Sequence, residues 1–191
     1  MYLVAIGDSK TVGFGCCAAT GGYQPTIISN LNAALPTKDY QWLGVDAVGG
    51  VTTHTVASGI DAFLATLNNQ DKLPEWVLIN LGSNDLQGAD NGSLTKAAWT
   101  ADLAYILDAV HAKWPAVMVG VMRPYWLGYN TGMTRMDDTW IPEVVASRSA
   151  WAIVGPDERV FLEEGVTVDV THPNAAGYVL TAAAWQTAMG Y

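Results

Sequence analysis

Short apolar runs recur along the chain, most of them closed by a residue that breaks regular structure. Residues 2–6 are almost continuously apolar and stop at Gly7; residues 76–81 stop at Gly82; residues 116–122 end before Pro124; residues 160–162 are a shorter instance. Runs of this length without polar alternation are the pattern of strands covered on both faces. A stretch from about residue 40 to 48 is mixed in pattern and is the least regular of the predicted strands. Helical spacing lies between these runs. Trp99, Leu103, Ile106 and Val110 form one apolar stripe and predict a helix over about residues 95 to 113, closed by Pro115. Tyr178, Ala182, Trp185 and Met189 repeat the spacing near the end, with Asn174 placed to cap that helix and Gly190 to stop it.

Buried strands alternating with amphipathic helices predict an α/β fold, because each crossover helix must lie back across the sheet it leaves. No repeat or linker divides the chain, and a length of 191 residues fits one domain over residues 1–191. Residues 124–140 carry Tyr125, Trp126, Tyr129, Met133 and Trp140 without clear period, and read as an aromatic loop that could wall a pocket. In such sheets ligands gather beyond the carboxyl ends of the strands. That directs attention to Gly7-Asp8-Ser9, Val48-Gly49-Gly50, Gly82-Ser83-Asn84-Asp85 and the segment after Leu162.

Composition narrows the partners. Nine Lys and Arg against eighteen Asp and Glu give a net charge of −9 with no basic run, a surface that repels nucleic acid and anionic membranes. Neutral or weakly charged small molecules fit best. No stretch of 18 or more apolar residues is present, so no membrane span is expected. The chain opens directly on its first apolar run with no signal-peptide pattern. It is expected to be soluble, cytoplasmic, or secreted if a signal was removed. Cys16 and Cys17 are too few for a disulfide scaffold or a spaced zinc motif. The sequence carries no sign of its oligomeric state.

Several residues at the strand ends could carry chemistry. Ser9 lies on a strand-to-helix turn, where a hydroxyl is a helix cap or, with a base nearby, a nucleophile. Asp169 stands three residues before His172, a spacing that lets the carboxylate hold one ring nitrogen and leave the other free to accept a proton. Gly50 offers a backbone amide free of a crowding side chain, and Asn84 a neutral carboxamide N–H, both suited to stabilising an oxyanion.

With Gly7-Asp8-Ser9, Gly50 before Val51-Thr52-Thr53, Gly82-x-Asn84-Asp85 and Asp169-x-x-His172-Pro173 in order, the chain resembles the SGNH hydrolases, also called GDSL esterases and lipases. The resemblance implies a flavodoxin-like, three-layer α/β/α fold with a central parallel sheet of about five strands. It implies Ser9 as nucleophile, His172 as general base and acid, Asp169 as its orienting partner, and an oxyanion hole from the Ser9 amide, the Gly50 amide and the Asn84 side chain. Gly49, one residue away, competes with Gly50. The implied activity is that of a serine esterase on small acyl esters, acetyl or short-chain, carried by a small alcohol or a carbohydrate, through an acyl-enzyme and without cofactor or metal. Lysophospholipase, thioesterase or acyltransferase activity on the same fold is the alternative, as is a non-catalytic carbohydrate-binding module. One departure stands out: the residue after the serine is Lys10, where the family usually has an apolar side chain. It reads as a solvated lysine on the first helical turn.

Other signals lead elsewhere or nowhere. Lys10-Thr11 suggests a phosphate loop, but the required glycines are Val4 and Ser9, and no dinucleotide fingerprint follows any strand. His54 and His111 lack the spaced partners of a metal site. His54, Trp126 and Trp140 are candidate substrate contacts, and Trp99, Trp114 and Trp185 read as core.

Overall fold

The computed structural model describes residues 1–67, 72–162 and 165–191. Five strands, β1 (Tyr2–Gly7), β2 (Gln41–Ala47), β3 (Pro74–Asn80), β4 (Met118–Arg123) and β5 (Ala152–Asp157), form one parallel sheet in the order β2-β1-β3-β4-β5. The direction of winding reverses between β1 and β3, which places the crevice beyond their carboxyl ends. Among the described residues eight α-helices surround the sheet: α1 (Ser9–Val12), α2 (Gln24–Ala34), α3 (Thr53–Thr66), α4 (Leu86–Asn91), α5 (Lys96–Lys113), α6 (Asn130–Arg135), α7 (Ile141–Ala146) and α8 (Ala175–Met189).

Alternation along the strands divides the core in two. Val4, Ile6, Val77, Ile79, Val119 and Val121 face α3, α5 and α7, and pack with Ile60, Leu103, Ile106 and Val144. Leu3, Trp76 and Leu78 point the other way, onto Tyr23, Ile27 and Leu31 of the α2 segment and Tyr178, Ala182 and Trp185 of α8. A strand covered on both faces favours apolar residues at successive positions, hence the runs at residues 2–6 of β1 and 76–79 of β3. The stripe of α5 is buried at all four positions, as is that of α8. Asn174 caps α8 by accepting from the Gly177 N–H at 3.1 Å, and Gly190 ends it with φ +85°.

Two expectations are corrected. Residues 160–162 are not a strand: Glu158–Val160 is a 3-10 turn, Val160 is exposed, and the fifth strand lies earlier, at Ala152–Asp157. β5 is an edge strand and half-buried, so it tolerates Gly155 and Pro156, which disguise it in the sequence. Residues 124–140 are not all loop either. After an irregular start, α6 runs through a π turn, Met136–Trp140, into α7. Met133, Met136, Trp140 and Val144 are its buried stripe. Cys16 and Cys17 are bonded to each other in the loop after α1. No helix among the described residues is long and apolar enough to cross a membrane.

Candidate active site

Gly7 ends β1 directly beneath α1. A Cβ there would meet Thr11 Oγ1 at 1.9 Å and the Asn80 carbonyl at 2.8 Å, so glycine is what allows the helix to begin this close to β3. Asp8 is the residue that caps α1, its Oδ1 accepting from the Lys10 N–H at 3.0 Å. Ser9 is therefore not the cap, and its hydroxyl is left for another partner. That partner is His172: Ser9 Oγ and His172 Nε2 are 2.9 Å apart, across 163 positions of sequence. His172 Nδ1 is 2.8 Å from Asp169 Oδ2, while Asp169 Oδ1 accepts from the backbone N–H groups of His172 and Thr171 at 2.7 and 2.8 Å. Burial alone would push the Asp169 carboxyl up, but the His172 amide, the imidazole and the Thr171 amide outweigh it and hold it below the usual range. An ionised Asp169 makes Nδ1 the donor and leaves Nε2 an acceptor facing the serine hydroxyl. The Phe14 ring lies over the imidazole, with centroids 4.6 Å apart.

Two turns complete the crevice. The Val51 N–H donates to the Val48 carbonyl at 3.5 Å, and Gly50, third in this turn, has φ +82°, a conformation suited to glycine. Gly49 is the nearer of the pair to the nucleophile, since a Cβ on it would lie 3.8 Å from Ser9 Cβ, whereas one on Gly50 meets nothing within 4 Å. Asn84 sits in the 3-10 turn Ser83–Asp85 after β3, and its Nδ2 donates to the Val51 carbonyl at 2.9 Å. Asp85 Oδ2 accepts from the Thr53 N–H and hydroxyl at 2.9 and 2.8 Å, pinning the start of α3 to the same turn. Among the described residues, neither the Ser9 nor the Gly50 N–H donates to a protein acceptor. The Asn84 carboxamide keeps a second hydrogen besides the one given to Val51. The Gly49 N–H is likewise without a protein acceptor among the described residues, so the Ser9, Gly49 and Gly50 amides and this carboxamide hydrogen remain available at the carboxyl ends of the strands.

The sequence profile of the GDSL-like lipase/acylhydrolase family matches residues 5–180. The chain belongs to this family. As a GDSL-like acylhydrolase it is a carboxylic ester hydrolase. Its fold is shared with an acetylxylan esterase, Axe2, from Geobacillus stearothermophilus (TM-score 0.73, 20% identity, covering 100% of this chain and 94% of that one). A Clostridium thermocellum family 3 carbohydrate esterase is similar (TM-score 0.75, 20% identity, 99% and 94% coverage), as is TesA (0.67, 20%, 96% of each chain). No curated protein matches the chain in sequence.

In this acylhydrolase the remaining candidates fall apart from one another. His54 is exposed and turned to α5, its Nδ1 3.1 Å from Asp102 Oδ2. Trp126 is half-buried in the loop after β4, its ring centroid 5.3 Å from that of Tyr129. Trp140 is buried, its ring centroid 5.8 Å from that of Trp99, on the stripe that runs from α6 into α7. His111 stacks on Trp151 at 4.1 Å. No cluster of three or more His, Cys, Asp or Glu suited to a metal occurs among the described residues. The segment expected after Leu162 begins with residues 163 and 164, which lie outside those described.

Lys10 overturns its reading as a solvated lysine. It is 1% exposed, and its ammonium pairs with Glu158 and donates to the Tyr125 carbonyl at 2.6 Å. Asp8 is buried beside it, and burial pushes its carboxyl up to about 6 despite the Lys10 charge. Glu158, Phe14 and Thr171 carry no local mark in the sequence, and Tyr125 stands there only as one aromatic residue of the 124–140 segment. Lys10 alone carried a signal, as a charge where the family has an apolar residue.

Proposed function

We propose that the protein is a serine esterase in which Ser9, His172 and Asp169 act as a triad on small acyl esters. The observation that carries this is the continuous line of two contacts, 2.9 Å from Ser9 Oγ to His172 Nε2 and 2.8 Å from His172 Nδ1 to Asp169 Oδ2. His172 takes the Ser9 proton as the oxygen attacks the ester carbonyl, then returns it to the departing alcohol. The acyl-enzyme is hydrolysed when His172 in the same way deprotonates water. The oxyanion is met by the Ser9 and Gly50 amides and the free hydrogen of Asn84, donors fixed by the turns that hold them before charge develops. An acetyl or other short acyl group on a carbohydrate is the preferred substrate class, supported by the carbohydrate esterases among proteins of this fold.

A second reading rests on a specific feature. A groove of about 650 Å³ runs between α1, α2 and β2, lined by Val12, Ile28, Trp42, Val45 and Ala47 among others, with no charged side chain. Val12 is one helical turn from Ser9. This favours a longer, apolar acyl group, as in a thioesterase or lysophospholipase. Turnover of p-nitrophenyl esters from acetate to laurate, beside acetylated xylooligosaccharide, separates the two. The first reading predicts that kcat/KM falls steadily with chain length and that Ser9→Ala abolishes turnover of every ester. Activity that survives Ser9→Ala refutes the mechanism itself.

A further inference from the structure

We infer that Lys10 and Glu158 form a buried positioning clasp that holds the nucleophile turn and the histidine loop in register for the reaction. This rests on the reading of Ser9, His172 and Asp169 above. A buried ion pair is a costly substitute for apolar packing, and well-packed hydrophobic residues often serve stability as well or better. The family's usual apolar residue after the serine would fill that position without burying a charge. The hydrogen bonds show where the charges act. Lys10, next in sequence to Ser9, donates to the Tyr125 carbonyl at 2.6 Å and pairs with Glu158. Glu158 Oε2 also accepts from the Tyr125 N–H at 3.0 Å, and Oε1 from Asn80 Nδ2 at 3.1 Å. The Tyr125 carbonyl receives a second donor, Thr171 Oγ1, at 3.0 Å. Thr171 is the neighbour of His172, and its own N–H donates to Asp169 at 2.8 Å. Alongside, the Leu127 N–H donates to the Val170 carbonyl at 2.8 Å.

Four segments that are distant in sequence therefore meet at one pair, the turn after β1, the end of β3, the loop after β4 and the 3-10 turn after β5, and the histidine loop joins them through the Tyr125 carbonyl. Lys10 and Thr171 share a single carbonyl oxygen, so a shift of one is felt by the other. Bonds in which one partner is charged are roughly twice as strong as neutral ones, and they fix geometry more firmly. An apolar residue at position 10 would pack there but leave the Tyr125 carbonyl held only from the histidine side. Neither charged group faces the reacting atoms; both act through the loops they hold, and the distance they set is that between Ser9 Oγ and His172 Nε2. A misplacement of about 1 Å between reacting groups can cost roughly 100-fold in rate.

The test compares Lys10→Met, Glu158→Gln and the double variant Lys10→Met/Glu158→Gln on p-nitrophenyl acetate, with kcat referred to the folded fraction measured by near-ultraviolet circular dichroism at the assay temperature. Unlike Lys10→Met, the double variant does not leave the Glu158 charge buried alone, so its unfolding midpoint lies above that of Lys10→Met. Its kcat nevertheless stays at least 10-fold below wild type, and that of Lys10→Met at least 30-fold below, with KM within threefold in each. A kcat that returns towards wild type in step with the midpoint, or a folded Lys10→Met with wild-type kcat, overturns the clasp. Should Lys10→Met fail to fold, Glu158→Gln and the double variant carry the same comparison. Ser9→Ala runs beside them: an inactive Ser9→Ala with fully active clasp variants overturns the clasp alone, whereas an active Ser9→Ala overturns the triad beneath it.

Discussion

Replacing Asp169 by Asn tests the proposed base more sharply than removing it, because the structure dictates how the amide must sit. Oδ1 accepts two backbone N–H groups at 2.7 and 2.8 Å, and only an oxygen can do so. The Asn oxygen is therefore held there, and its NH2 is turned to His172 Nδ1, now 2.8 Å from a donor instead of an acceptor. Nδ1 must accept, the ring proton moves to Nε2, and Nε2 presents a hydrogen to Ser9 Oγ. The serine then has no base. In a serine protease with a buried aspartate the same exchange lowers kcat by about 10⁴. Asp169 is 42% exposed, and water can help the ring recover its productive tautomer, so the loss here is set lower, at roughly 10²- to 10³-fold. That equals about 3 to 4 kcal/mol of barrier. KM for p-nitrophenyl acetate should stay near wild type, since the lost interaction belongs to the transition state. The unfolding midpoint should change little because both amide contacts survive. A folded Asp169→Asn enzyme with kcat within about threefold of wild type would refute the reasoning.

Two further outcomes follow from other parts of the molecule. Asn84→Ala removes one oxyanion donor and the bond to Val51, and should lower kcat about 10²- to 10³-fold with little change in KM, measured with the same ester. Asp137 is buried, neither oxygen has a hydrogen-bond partner among the described residues, and burial pushes its carboxyl up to about 8 against the pull of Arg159. A carboxyl raised in the folded state favours folding most below its unfolded value of about 4, and the benefit is lost as pH climbs through about 8. Thermal unfolding of Asp137→Asn should match wild type near pH 4 and exceed it near pH 8, by on the order of 3 kcal/mol; equal stabilities at both pH values would contradict the assignment.

The elements legible in the sequence are those whose burial is uniform along their length. β1 and β3 are covered on both faces, so residues 2–6 and 76–79 are all apolar, and α5 and α8 each bury one clean stripe. β5 was hidden because an edge strand with one half-open flank needs neither a continuous run nor strict alternation, and Gly155-Pro156 reads as a turn. The helices from α6 to α7 were hidden for a different reason. Met133, Met136, Trp140 and Val144 keep helical spacing, but α6 and α7 are only six residues each, and Gly128, Gly132 and Pro142 punctuate the segment like a loop. Trp140 therefore reads as part of an aromatic loop in the sequence, whereas in the fold it packs in the core.

The site divides along the same line between local and distant causes. Asp169 and His172 are three residues apart, so their pairing can be read from spacing, and the serine and asparagine turns announce themselves by following apolar runs. Lys10 shows the opposite case. Its position was visible, but its state depends on Glu158, 148 residues away, and on a carbonyl in the loop after β4. A lysine on a first helical turn is ordinarily exposed; this one is buried because the fold brings a carboxylate and a carbonyl oxygen to it, and neither has a sequence signature. Propensity and periodicity describe how a segment meets an average interior. They do not describe which polar partner that interior supplies, and at the carboxyl ends of β1, β3, β4 and β5 it is the polar partners that set the distance between Ser9 and His172.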